Sequence, residues 1–293
     1  MKLLVTVFDL NNVDQLLDCA DGIIVGNHKF GTRLTNSFSV DELIFCIDKA
    51  RAKQKEIFIQ ANQMFTDKHL ELFKAFLQEL PLDKLNGVVV ADIGGVMVLE
   101  ELGYSKLAVY NPETLHTNYF DFNYLSSESI KGAYVAKEIT LEDIEMIGKK
   151  KQHDLFMVGH GHLNMFYSKR NLIQNYADFT QIENVFVEKQ TLRIKERTRK
   201  DQVYPLFSDL AGTHVFRSKV FQTLNVLDKL EEIVDYLVID TIFKDDSYGL
   251  SILDMYQHKV YNLERVQQIQ VTYEEQWDDG FLYFKTFYKK GDM

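Results

Sequence analysis

The sequence predicts an α/β fold, a (βα)8 TIM-like barrel with a β-hairpin insertion between its seventh and eighth strands. Three observations predict it. Short β-branched runs alternate with longer amphipathic stretches through the first half of the chain. The short runs are apolar throughout, as expected of parallel strands covered by helices on both faces. Connections are short, and eight strand–helix units favour a closed barrel over an open doubly wound sheet.

The strand-like runs fall at residues 2–8, 22–26, 56–61, 87–91, 107–110, 132–136 and 155–158. Helical signals lie between them. Ser39-Val40-Asp41-Glu42 has a hydroxyl N-cap and an acid three residues on, a capping box. Thr66-Asp67-Lys68-His69 begins a helix whose Leu70, Phe73, Phe76 and Leu77 recur at helical spacing. Thr140-Leu141-Glu142-Asp143 begins another. The eighth strand is Tyr236-Leu237-Val238-Ile239, after the amphipathic stretch 225–234. Residues 173–224 between strands seven and eight alternate polar and apolar side chains, as in Phe186-Val187-Glu188, Leu192-Arg193-Ile194 and Gln202-Val203-Tyr204-Pro205. They predict hairpins on the C-terminal face of the barrel. A helix follows at 248–258, completing a barrel unit over 1–260, and 261–293 form an aromatic-rich extension with the single Trp277.

With 293 residues, 46% hydrophobic, the chain can bury one large core, and no Ser/Gly/Pro-rich linker divides it. The net charge of -10 opposes general nucleic-acid binding, while leaving room for a local basic groove such as Lys195-Glu196-Arg197-Thr198-Arg199-Lys200. A charge run of this kind more often forms a solvated hairpin tip, the preferred reading here. Cys19 and Cys46 share no metal spacing and are expected to be reduced thiols on helices. The N-terminal apolar run meets acids and amides too soon for a signal peptide. No segment reaches the roughly 20 apolar residues of a membrane helix. The expectation is a cytoplasmic protein without membrane contact.

Active sites of such barrels form just past the strand C-termini. Those positions hold Asp9, Asn27, His28, Arg33, Asn62, Asp92, Asn111, Lys137, Glu138, His160, His162 and Asp240. Each alone could cap a helix or build a turn. A full ring of them predicts a polar pocket. His160 and His162, as i and i+2 on an extended segment, would share a face, and His214 could be a third ligand for zinc. No activating carboxylate is evident beside them, so the preferred assignment is no metal. No nucleophilic thiol lies near a strand end, and Ser168 and Lys169 are adjacent rather than facing. Gly94-Gly95 suggests an ordinary tight turn more than an anion site.

The stretch Gly161-His162-Leu163-Asn164-Met165-Phe166-Tyr167-Ser168-Lys169-Arg170-Asn171-Leu172 resembles the signature of peptidase family U-32, the collagenase-like peptidases, of the form G-A-L-C-x-x-Y-S-G-R-C-L-x-S. Gly26-Asn27-His28-Lys29-Phe30-Gly31-Thr32-Arg33, Lys137-Glu138-Ile139-Thr140-Leu141-Glu142, Gly212-Thr213-His214 and Val238-Ile239-Asp240 are similar to other family segments. The resemblance covers roughly residues 1–260. Two departures stand out. Asn164 and Asn171 replace the two signature cysteines, and no cysteine follows Cys46 to supply a later pair. Where the motif begins E-x-F, this chain has Phe156-Met157-Val158. In family members those thiolates hold an iron–sulfur cluster used in oxygen-independent hydroxylation of RNA or a quinone precursor. An amide lacks the charge and softness that such a cluster needs.

The resemblance therefore implies a barrel of the cysteine-poor branch associated with 5-hydroxyuridine at the tRNA wobble position. It would bind no cluster alone and would work beside a cysteine-bearing paralogue, with tRNA and prephenate as possible partners. The alternatives are a collagenase-like peptidase (a hydrolase), as the family label states, and a non-catalytic binding protein for an anionic metabolite. Arg33, Lys137 and Arg170 are the expected anion holders. His160, His162 and Glu138 are the expected proton-transfer groups. Asn27, Asn62, Asp92, Asn111, Asn164, Tyr167, His214 and Asp240 would line the ligand site.

Overall fold

The computed structural model describes residues 1–184, 192–198, 202–259 and 261–283. The expected strand at Phe186-Val187-Glu188 and the Arg199-Lys200 end of the basic run lie outside the described residues. Eight parallel strands form the barrel: β1 (Lys2–Thr6), β2 (Gly22–Gly26), β3 (Glu56–Ala61), β4 (Gly87–Val90), β5 (Ala108–Tyr110), β6 (Gly132–Tyr134), β7 (Asp154–Gly161) and β13 (Tyr236–Ile239). β13 closes the ring by pairing with both β1 and β7, so that Leu237 lies opposite Leu3 on one side and Met157 on the other.

The strands are apolar on both faces because both faces are covered. Leu4, Ile24, Phe58, Val89, Val109, Tyr134, Phe156 and Tyr236 fill the barrel interior. Phe156 and Tyr236 stack with ring centroids 4.3 Å apart and planes 6° from parallel. Outward-facing residues pack under the helices α1 (Val13–Cys19), α2 (Val40–Ala52), α3 (Asp67–Glu79), α4 (Ile93–Glu101), α5 (Tyr119–Asn123) and α6 (Leu141–Lys150). The two acid-bearing starts form full capping boxes, Ser39 with Glu42 and Thr140 with Asp143. Thr66 opens α3 without a side-chain cap bond.

The insertion departs from expectation at its start. Its first strand is β8 (Asn164–Ser168), well before residue 173, and a helix, α7 (Leu172–Thr180), replaces the expected first hairpin. Ile173 and Ala177, four apart, are the buried positions of α7, a helical rather than a strand period. β9 (Arg193–Lys195), β10 (Val203–Asp209) and β11 (Gly212–Phe216) join β8 in an antiparallel sheet of order β8-β11-β10-β9. β12 (Val220–Gln222) returns the chain to β7, antiparallel to it. After α8 (Leu227–Glu231) and the closing strand come α9 (Asp246–His258), α10 (Leu263–Thr272) and a short β14 (Trp277–Asp278) that pairs with β12. Residues 274–283 thus form a strap from the outer helices to the barrel mouth. Among the described residues no helix is long and apolar enough to cross a membrane.

Candidate functional site

The strap and the insertion overhang the C-terminal end of the barrel, where a cavity of about 80 Å³ remains. Three charged side chains meet in its wall. Arg33, from the loop after β2, places Nη2 2.5 Å from Glu113 Oε1, and Lys137, just past β6, pairs with Glu113 Oε2. Glu113 lies past β5 in the turn Asn111-Pro112-Glu113, and Asn111 Oδ1 accepts its backbone N–H at 3.2 Å. Burial alone would raise the Glu113 carboxyl, but Arg33 and Lys137 overcome it and bring the pKa to about 2. The same burial lowers Lys137, opposed by the charge of Glu113. Arg33 and Glu113 have φ of 54° and 65°, a left-handed backbone uncommon for long side chains.

A second layer holds Arg33 in place. The Asp209 carboxylate accepts from the Arg33 backbone N–H (3.0 Å) and from the Thr32 hydroxyl (2.7 Å), and its Oδ1 lies 3.2 Å from Nε2 of His214. Nδ1 of His214 lies 3.4 Å from Arg33 Nη1, which assigns the ring proton to Nε2. Burial holds His214 below its ordinary pKa, so it is neutral here. Tyr167 stacks on the His214 ring at 4.9 Å and donates its hydroxyl to the Ala211 carbonyl at 2.9 Å. The Asn62 carbonyl oxygen accepts from Thr32 N–H at 3.0 Å and faces the same cavity.

Asp240, just past β13, completes the wall. Its Oδ1 accepts from Ile242 N–H at 3.0 Å. Burial pushes its pKa up to about 6, with the Ile242 hydrogen bond and the Arg33 charge opposing. The cavity therefore holds a fixed charge triad and one carboxyl able to gain or lose a proton near neutral pH.

Arg33, Asn62, Asn111, Lys137, His162, Asn164 and Asp240 all line the cavity. His160 does not. It was expected to share a face with His162, but the strand alternation breaks at Gly161, whose φ is 142°. A side chain at Gly161 would put its Cβ 2.5 Å from the Asp240 carbonyl oxygen, so only glycine allows this approach. His160 instead lies fully buried among Tyr248, Tyr256 and Trp277, with Nε2 2.7 Å from the Tyr248 hydroxyl. Burial takes it to about 3, so it is neutral. His162 contacts Phe243 and the Arg217 carbonyl, and burial lowers it to about 4. Among the described residues no group of three or more His, Cys, Asp and Glu is placed to hold a metal ion.

Other expected residues have local tasks. Asn27 ties its own loop through Phe38 O at 2.7 Å. Asp92 caps α4, its carboxylate accepting from the Gly95 N–H at 2.8 Å. Glu138 is exposed and borders a neighbouring hollow instead. Arg170 is exposed and does not line the cavity, so the expected three-cation cluster is a pair closed by an internal carboxylate. Asn171 caps α7, accepting from Gln174 N–H at 3.0 Å. Glu113 and Asp209 were not anticipated. The only sequence signal for Glu113 was its place just past a strand-end Asn-Pro, and Asp209 comes from the insertion, where strand-end logic does not reach.

The model of peptidase family U32 matches residues 10–286. The chain belongs to peptidase family U32. It is similar to tRNA hydroxylation protein P2 of Bacillus subtilis (strain 168), at 27% identity over 98% of this chain and 99% of that protein. It is also similar to an uncharacterized protease of Methanocaldococcus jannaschii, at 23% identity over the whole chain and 75% of the relative. A solved U32 peptidase superposes with a TM-score of 0.54 at 17% identity, covering 82% of this chain and 92% of that one, and shares the fold. Within the U32 signature Asn164 faces the cavity, whereas Asn171 is spent on a helix cap. Cys19 and Cys46 lie on α1 and α2, and burial pushes the Cys46 thiol up to about 12.

Proposed function

We propose that this chain is a cluster-less subunit in oxygen-independent hydroxylation of wobble uridine in tRNA. It grips an anionic ligand at the barrel mouth while a cysteine-bearing U32 paralogue supplies redox chemistry. The near-complete reciprocal coverage with the B. subtilis tRNA hydroxylation protein carries this reading. The donor set supports it. An iron–sulfur cluster needs thiolates, and the cavity wall offers the Asn164 amide, while the Cys46 thiol stays protonated within the packing of α2. These residues do not fit a cluster.

The cavity's own chemistry is to bind and to move a proton. Arg33 and Lys137 face one internal carboxylate, leaving one net positive charge when Asp240 is protonated and none when it is ionised. A monoanion is matched by that balance. A dicarboxylate such as prephenate would engage both cations by displacing Glu113. Asp240 is the group placed to exchange a proton with a bound ligand. The peptidase reading is weaker: the hydroxyls in the cavity wall are Thr6 and the interior Tyr134, and Thr6 Oγ1 already bonds Thr35 and Thr241.

Removing the gene is expected to lower hydroxylation at the tRNA wobble uridine, measured by mass spectrometry of digested tRNA. Complementation with the wild type restores it, and with Lys137→Ala it does not. Undiminished modification in the deletion strain would refute the reading.

A further inference from the structure

Beside the cavity lies an outer hollow of about 370 Å³. The two share Lys137, Leu163, Asn164 and Phe281 as a common wall, with Phe281 of the strap between them. The cavity by itself is well below the ~300 Å³ of an ordinary ligand pocket, so an anion held at Lys137 would extend past the shared wall into the outer hollow, which is of ligand size.

The charge of the outer hollow runs against that of the protein. Lys137, Arg217 and Lys219 line it against Glu138 and Asp278, in a chain of net charge -10. The Asp278 carboxylate is occupied on both oxygens, by Arg217 Nη2 at 2.8 Å and by the Gly280 N–H at 3.0 Å. Arg217 Nη1 is buried without a hydrogen-bond partner, and the guanidinium carbon lies 5.3 Å from the centroid of the Phe281 ring.

We propose that this outer hollow is a phosphate subsite, in which Arg217 and Lys219 seat the phosphodiester flanking a nucleotide presented to the barrel cavity. The phosphate assignment stands on the hollow itself, and the identity of its bearer rests on the RNA reading above. Arginine beside lysine is a usual phosphate cradle, and phosphate contacts position a strand without reading its sequence. Asn164 and Phe281, on the shared wall, would lie between phosphate and base.

Binding is read by isothermal titration calorimetry. The full chain is titrated with a 5′-phosphorylated uridine trinucleotide, with uridine and with inorganic phosphate. The trinucleotide is expected to bind and uridine to bind far more weakly. Lys219→Glu should weaken the trinucleotide about tenfold and lower the slope of log affinity against log salt by about 0.7. Arg217→Lys should weaken it too, with an unchanged near-ultraviolet circular dichroism spectrum showing the fold intact. Inorganic phosphate binding as tightly as the trinucleotide would support the subsite and make its bearer a small phosphorylated metabolite. The proposal is overturned if no phosphate-bearing probe binds, or if both variants bind the trinucleotide as the wild type does with the same salt slope. Those results leave the tRNA reading to be judged separately by the deletion strain.

Discussion

Arg33 and Glu113 reach each other from loops after different strands, and each does so from a left-handed backbone. Such conformations cost on the order of 1–3 kcal/mol apiece and persist where the surroundings over-determine them, typically at functional sites. Asp209 fixes one of them through the Arg33 and Thr32 donors, and Asn111 fixes the other. Asp240 is the titrating member. Its folded pKa, about 6, lies above its unfolded value, so the folded state holds the proton more tightly. Its contribution to stability is full below the unfolded pKa near 4 and is lost as pH rises through 6. Asp240→Asn keeps the acceptor for Ile242 and removes the buried charge, so at pH 8 it should stabilise the protein by about 1–3 kcal/mol. Urea denaturation at pH 5 and pH 8 checks this, with about half of the pH 8 gain expected at pH 5, which lies midway between the two pKa values. Glu113 has the opposite sign, its contribution being lost as pH falls from the unfolded value toward about 2. Arg33, Lys137 and Asp240 were visible in the sequence because each follows a strand end closely. Glu113 and Asp209 were not, since pairing across loops leaves no periodic trace.

β7 shows how one residue redirects an element. The register with β13 shifts just before His160, and Gly161 then turns the chain toward the cavity with φ 142°. Gly161→Ala would meet the Asp240 carbonyl in a backbone region that alanine avoids. A loss of about 1–3 kcal/mol is expected from denaturant midpoints, and an unchanged midpoint would mean that the turn is not tight. The strap explains Trp277, whose role the sequence did not reveal. Its ring meets His160 edge-on at 4.7 Å and its indole N–H donates to Glu275 at 2.6 Å. Glu275 also accepts from the Tyr248 hydroxyl and faces Lys244 at 2.6 Å, tying strap, α9 and the loop after β13 into one buried network. All eight barrel strands could be read from apolar runs, because double-sided burial leaves a strong local signal. The insertion could be read only in part, because β8 is half-exposed on an edge and its pattern is mixed.

Over the whole molecule, strap, insertion and barrel are interlocked, with β14 on β12, β12 on β7 and Arg217 bound to Asp278. Such a chain should unfold as one cooperative unit. Thermal melts followed by Trp277 fluorescence and by far-ultraviolet circular dichroism are expected to coincide, and an earlier fluorescence transition would show the strap opening by itself. The insertion has another effect, felt before folding is complete. Ring closure needs β13, which lies after the whole insertion, so β1 and β7 keep unpaired edges until it is made. At about 5–20 residues per second, a ribosome takes on the order of 5–15 s to cross that gap. Throughout that interval the nascent sheet shows two open flanks to its neighbours, which makes the seconds before closure the period when a chaperone is most needed.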